Sequence, residues 1–258
     1  MKGKKIVILA GKGDSSKIVF NALDSQFGIE KIIVEDKENT KKFIKRRIKR
    51  LGIFTVVGQI LFQLMIIGKF LGSTSKKRRD EIMKANGMNA AEIPNDKTIN
   101  VSSVNSKKTI ELLKEINPDL IIVNGTRIIS EKVLSAVECP FINTHAGITP
   151  KYRGVHGAYW ALVNNDAENN GVTVHFVDKG IDTGSVIYQE NITITKEDDF
   201  STYPLIQLAS GIKLLTKAIE NFFNGTLSSQ KERNLESILW YHPTIWGYLY
   251  HRIFKGVK

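Results

Sequence analysis

Apolar residues recur in two distinct periods along the chain. Lys5-Ile-Val-Ile-Leu-Ala10 is a short run rich in β-branched residues; a Gly-x-Gly turn closes it, and Ser16–Leu23 follows with helical spacing. This reads as strand, loop, helix. Ile29–Val34 predicts a second strand, Ile99–Val101 a short third, Lys107–Ile116 a helix and Leu120–Val123 a fourth strand. Strands apolar on both faces, alternating with helices, predict an α/β fold with a mostly parallel sheet covered on both sides. Such sheets take ligands beyond the carboxyl ends of their strands, here the loops after Ala10, Val123 and Ile142. Further on, Ile192–Ile194 predicts another strand and Tyr203–Phe223 a helix ended by Gly225.

An insertion of roughly residues 40–92 interrupts this alternation. Its centre, Leu51–Gly68, has no charged residue, and Thr55, Gln59 and Gln63 fall four apart on one helical face. A helix apolar over the rest of its circumference must bury that surface in a core, a partner subunit or a membrane. The two glutamines and Lys69 count against a spanning helix, whereas the cationic flanks resemble an interfacial anchor. Packing against protein is the expected outcome, because eleven apolar residues between Ile53 and Ile67 would otherwise meet water. A homodimer interface and peripheral contact with a membrane are the other two occupants.

Composition narrows the class. At 258 residues and 42% hydrophobic content, the chain can bury one substantial core. Residues 1–225 form the expected catalytic domain, carrying the insertion, and residues 226–258 an extension dense in aromatics between Leu239 and Phe254. The net charge of +11 is local: Lys41–Arg50 holds seven basic residues and Lys76–Arg79 four, with no acid in either run. Setting these eleven aside leaves 26 basic against 26 acidic residues, which gives no support to a nucleic-acid-binding surface spread over the protein. One cysteine, Cys139, rules out an intramolecular disulfide and fits a core thiol in a reducing cytoplasm. The apolar run Ile6–Ala10 is too short for a signal-peptide core. Five histidines without clustered ligand spacing predict no metal site.

The chemistry concentrates in Phe141-Ile-Asn-Thr-His-Ala-Gly-Ile-Thr-Pro-Lys-Tyr-Arg-Gly154 and Asp178-Lys-Gly-Ile-Asp-Thr-Gly184. A strand's period of two sends Asn143 and His145 to one face. An amide donor beside a titratable ring suits oxyanion stabilisation and proton acceptance, the two demands of acyl transfer to an amine. Asp182, on a Gly-flanked loop, is placed to orient the ring, while Asp178 reads as the cap of that turn. His156 and His175 stay outside this set; His175, alternating with Val174 and Phe176, faces solvent or fills a groove. The Gly11-Lys-Gly13 turn fails as a dinucleotide fingerprint and is either a tight turn or an anion-binding loop at a helix start.

The composite Asn-x-His-x-x-x-x-Pro-x-Tyr-Arg-Gly with a downstream Asp-x-Gly-x-Asp-x-Gly resembles the formyltransferases that use 10-formyltetrahydrofolate. The resemblance also covers Gly11–Ser16, Pro118–Ile129 and Val172–Gln189. It implies a Rossmann-like formyltransferase fold with a helical insertion and a short C-terminal extension, and direct transfer without a metal. Asn143, His145 and Asp182 would be catalytic. Folate would lie against Thr126, Arg127, Ile128, Ile129, Val177 and Ile181. The acceptor would meet Gly11 and Gly13 on one side and Lys151, Tyr152, Arg153 and Gly154 on the other. Glycinamide ribonucleotide enzymes of this group are shorter and methionyl-tRNA enzymes carry a second domain. Gly147–Trp160, with Gly157 and Trp160 extending the motif, resembles most the sugar N-formyltransferases. That likeness implies a nucleotide-linked amino sugar as partner, products that feed lipopolysaccharide or other O-antigen-type glycans, and a cytoplasmic location at the inner membrane face. From another class, a peripheral membrane or nucleic-acid-binding protein on a degenerate scaffold is the alternative; intact Asn143, His145 and Asp182 count against it.

Overall fold

The computed structural model describes residues 3–231 and 233–258. β1 (Ile6–Gly11), α1 (Asp14–Phe27) and β2 (Lys31–Glu35) come first, and the insertion follows as α2 (Thr40–Leu51), α3 (Ile53–Leu61), a π-helical continuation (Phe62–Leu71), the single turn α4 (Gly72–Thr74) and α5 (Lys76–Ala85). The chain then runs through β3 (Thr98–Val101), α6 (Lys107–Ile116), β4 (Leu120–Asn124), α7 (Glu131–Leu134), β5 (Phe141–His145), β6 (Arg153–Gly154) and α8 (Gly157–Val163). It ends with β7 (Gly171–Phe176), β8 (Val186–Asn191), α9 (Tyr203–Phe223), β9 (Leu239–Trp240) and α10 (Ile245–Phe254).

Seven strands form one sheet in the order β3-β2-β1-β4-β5-β7-β8, parallel from β3 to β5, with β7 and β8 antiparallel. The expected α/β architecture with a mostly parallel sheet is what the chain adopts. Alternation along β1 divides the core. Ile6, Ile8 and Ala10 join Phe20 and Leu23 of α1 and Leu215 and Ile219 of α9, while Val7 and Leu9 join Leu113 of α6 and Val133 of α7. Each wholly buried Ile or Leu of these strands contributes about 1.5–3 kcal/mol, so the sheet centre is rigid enough to hold chemistry at its edge. Local signals bound α6 at the predicted Lys107–Ile116: Ser106 Oγ accepts the Thr109 N–H at its start, and Asn117 leaves it in the left-handed region at φ 48°.

One expectation changes. Ile192–Ile194 is not a strand, because β8 ends at Asn191 and this stretch instead turns its isoleucines onto a third apolar cluster. That cluster, built on Phe62, Leu71, Tyr159, Phe200 and Tyr248, joins the insertion and α10 to the body. From the C-terminal extension, β9 pairs in parallel with β6.

The insertion packs the opposite way round from a core helix. Its polar stripe faces protein: Gln59 Nε2 donates to the His242 carbonyl at 2.7 Å, Arg47 donates to Gln59 Oε1 at 2.8 Å, and Gln63 reaches the His242 ring at 3.3 Å. Val56, Phe62 and Leu71 are buried alongside, but Ile53, Phe54, Val57, Ile60, Leu64 and Met65 remain exposed. The expected packing against protein is met on one side only within this chain.

Candidate active site

β5 ends at the sheet's carboxyl edge, where it pairs antiparallel with β7 and puts Asn143 opposite His175. The pairing brings both side chains to one face, and Asn143 Nδ2 lies 3.1 Å from His175 Nε2. Donor and acceptor follow from the far side of the ring. His175 Nδ1 sits 2.7 Å from the Phe176 carbonyl, an acceptor, so Nδ1 carries the proton and Nε2 accepts from the amide. This fixes the Asn143 amide with nitrogen toward the cavity and leaves its second N–H free to donate. Burial is the main force holding the His175 pKa below its ordinary value, followed by the opposing Phe176 hydrogen bond and the nearby His145, so the ring keeps its accepting role at neutral pH.

His145 Nδ1 lies 3.3 Å from Asp182 Oδ2, and Nε2 lies 2.6 Å from the Tyr152 carbonyl. Both ring nitrogens face acceptors; the imidazolium satisfies them with two N–H donors, either neutral tautomer with one. Asp182 is held in turn: Oδ2 accepts the Gly154 N–H at 2.9 Å, and its backbone takes φ 52°. Gly154 is required here twice over, since its φ is +96° and a Cβ would run into the Trp240 carbonyl across the β6–β9 pair. Asp178 caps the loop as expected, accepting from the Gly180 N–H at 2.9 Å and from Thr183 Oγ1 at 2.7 Å.

Asn143, His145, His175 and Asp182 line one cavity of about 340 Å³ together with Thr126, Arg127, Ile128, Ile129, Val177 and Ile181. The three catalytic candidates and all six folate candidates thus share one space. Glu35, buried at the end of β2, shapes its rim: Oε1 accepts the Arg127 N–H at 2.7 Å and Oε2 the Val104 N–H at 3.0 Å. The Arg127 guanidinium turns away from the cavity to Glu35 and the carbonyls of Asp36 and Ser102, so this residue offers its backbone rather than its charge.

The acceptor candidates scatter. Tyr152 is wholly buried, its hydroxyl donating to Asp166 at 2.7 Å, and Lys151 pairs with Asp166 at 2.5 Å, so both brace the loop and neither reaches the cavity. Gly154 lines the catalytic cavity but spends its N–H on Asp182, and Arg153 lines a separate space of about 600 Å³ behind Asp182 and Thr183. Gly11 and Gly13 border a pocket of about 230 Å³ on the side of Asn95–Asn100; the close approach of Gly11 to the Gly125 carbonyl explains its glycine. The residues after them, Asp14 and Ser15, instead border a space of about 530 Å³ that shares Gly125, Thr144 and Ala146 with the catalytic cavity. Its far wall is Lys76, Arg79, Asp80 and Met83 of α5, together with Leu205 and Leu208 of α9. Sequence reasoning missed α5 because its spacing is local and its approach to β5 is not. His175 was discounted because its alternation named a face without naming what lay opposite. Among the described residues no cluster of His, Cys, Asp or Glu could hold a metal ion.

A profile of the formyl transferase family matches residues 70–219. The methionyl-tRNA formyltransferase of Caldanaerobacter subterraneus subsp. tengcongensis is 32% identical over 174 residues, 66% of this chain and 55% of that protein. The chain thus spans about half the length of that relative. Among solved structures, the phosphoribosylglycinamide formyltransferase of Streptococcus pneumoniae superposes with a TM-score of 0.54 at 21% identity, covering 85% of this chain and 99% of that one. The N-formyltransferase of Helicobacter canadensis, solved with folinic acid and dTDP-3-aminofucose, gives 0.54 at 19% identity over 91% and 70%. At these identities the superpositions speak to the fold, and the family profile speaks to descent: this chain belongs to the formyl transferase family.

Proposed function

We propose that the protein transfers a formyl group from 10-formyltetrahydrofolate to the amino group of a nucleotide-linked amino sugar. The observation that carries the reading is that two cavities share Gly125, Thr144 and Ala146 in their walls, with Asn143, His145 and Asp182 lining the smaller of them. The smaller, rimmed by Thr126–Ile129, suits the folate head; the larger suits an acceptor, and the ammonium of Lys76 on its wall suits a phosphate, while Arg79 is held by the Leu71 and Gly72 carbonyls. Donor and acceptor in adjoining spaces supply the proximity that a bimolecular transfer requires.

In this scheme the amine lone pair bonds to the formyl carbon and the carbonyl electrons move onto oxygen. The free N–H of Asn143 donates to that oxyanion, with His145 held beside it by Asp182 and the Tyr152 carbonyl. The proton released by nitrogen passes to Asp182 or a water it holds. Collapse of the tetrahedral species breaks the bond to N10 of the folate, which takes up a proton, giving the formamide and tetrahydrofolate.

The identity to methionyl-tRNA formyltransferases favours a second acceptor, methionyl-tRNA. One assay separates them. The enzyme is incubated with 10-formyltetrahydrofolate and a panel of nucleotide-linked amino sugars, glycinamide ribonucleotide and methionyl-tRNA, and products are read by mass spectrometry. The proposal requires a gain of one formyl group on a sugar nucleotide; formylation of methionyl-tRNA alone would replace it.

A further inference from the structure

The segment Ile53–Thr74 is long and apolar enough to cross a membrane, with mean hydropathy 1.8, yet only 22% of its most apolar window is buried. The exposed part is patterned. Ile53, Phe54, Val57, Leu61, Leu64 and Met65 recur at helical spacing on one side, with Phe54 83% and Leu64 62% exposed. α10 lies against this helix, Trp246 over Gly58 and Arg252 over the Phe70 ring, and carries a second exposed stripe: Trp246, Leu249, Tyr250, Ile253 and Phe254. Ile253 and Phe254 are each 71% exposed. Trp246 over Gly58 and Arg252 over Phe70 set the two stripes, from segments about 190 residues apart in sequence, side by side as exposed apolar surface of the kind that marks an interaction site.

Charge decides what covers it. α2 packs beside α3 and holds seven cations with no acid; Lys41, Lys42, Lys45 and Lys49 are exposed, and Lys69 is exposed on the π-helical segment. We infer that this face docks the protein onto an anionic lipid surface, with the two apolar stripes entering the interface and the α2 lysines meeting the headgroups. A second copy fits less well, because a two-fold interface built on the apolar stripes would bring the same unbalanced cations toward one another. A spanning arrangement conflicts with the packing. Gln59 is tied to His242 and Phe62 lies 4.8 Å from the Phe200 ring and 5.1 Å from Tyr248, so the inner side of the helix is committed lengthwise to the body. Apolar insertion and polybasic attraction together are the two signals that stable peripheral binding needs.

Full-length protein mixed with phosphatidylcholine vesicles containing phosphatidylglycerol should co-sediment at low salt, bind pure phosphatidylcholine far less, and be released as salt rises. Lys41→Glu/Lys42→Glu/Lys45→Glu should weaken partitioning by roughly a hundredfold, at about fivefold for each cation lost. Phe54→Ser/Ile253→Ser should abolish the blue shift of tryptophan fluorescence expected as Trp246 enters the interface, with the fold judged intact by circular dichroism. Equal binding to neutral and anionic vesicles, resistance to extraction at alkaline pH, or a salt-insensitive dimer without lipid affinity would each overturn the inference.

Discussion

At the residue scale, the proposed chemistry depends on one amide, Asn143, whose orientation is decided by its neighbour His175. Asn143→Ala should lower kcat by about two to three orders of magnitude, the usual effect of removing a donor aimed at a developing oxyanion. His175→Phe should cost less, about one to two orders, and should fall mainly on kcat, because it frees the Asn143 amide to rotate. An unchanged kcat in His175→Phe would show that the amide is fixed by something else. Gly154→Ala should behave like loss of Asp182, since its Cβ forces the β6–β9 pair apart and withdraws the N–H from the carboxylate. That Asn143, His145 and Asp182 come together in one cavity was legible in the sequence, because two lie within one strand's period and the third within a Gly-bounded turn. His175 and Glu35 were not, because each acts through a strand pairing or a loop contact that no local pattern encodes.

At the element scale, the insertion shows where pattern reading fails and why. The sequence sets Thr55, Gln59 and Gln63 on one helical face without naming what that face meets. Here Gln59 and Gln63 meet His242, some 180 residues away, whose carbonyl and ring satisfy their amides. A distant partner decides which side of the helix is inside. The assignment can be checked with two phenylalanines. Phe62→Ala, in the aromatic cluster with Phe200 and Tyr248, should cost about 3–5 kcal/mol of stability. Phe54→Ala, at 83% exposure, should stay within about 0.5 kcal/mol of the parent. Denaturant midpoints that rank these two the other way would mean the helix packs by its other face. The long helix α9 and the strands β1 and β4 posed no such difficulty, since their apolar residues are buried by neighbours whatever the partner.

At the scale of the whole molecule, the histidines under the insertion couple stability to pH. His156 Nε2 and His242 Nδ1 are 2.8 Å apart beneath the aromatic cluster. Burial, helped by His242, pushes the His156 pKa down to about 3; burial, helped by Arg47, pushes His242 down to about 4. Both folded values lie below the ordinary 6.5, so between that value and about 4 the unfolded chain binds protons that the folded chain refuses. Their contribution is present above pH 6.5 and is lost as pH falls, by about 2 kcal/mol for each ring at pH 5. The melting temperature should accordingly drop by on the order of 10 °C from pH 7 to 5. His242→Gln, which cannot titrate, should remove about half of that drop; an identical pH dependence in the variant would place the acid sensitivity elsewhere.

The central claim is that formyl transfer occurs beside the wall the two cavities share, on the oxyanion side of Asn143. The most direct measurement is single-turnover transfer from 10-formyltetrahydrofolate to the accepted amino sugar, followed by release of tetrahydrofolate, in the parent enzyme and in Asn143→Ala, with folate affinity measured on the same samples. Transfer should fall by about a hundredfold or more in the variant while folate still binds, the mark of a group used only in the transition state. Parent-like transfer by Asn143→Ala would contradict the account.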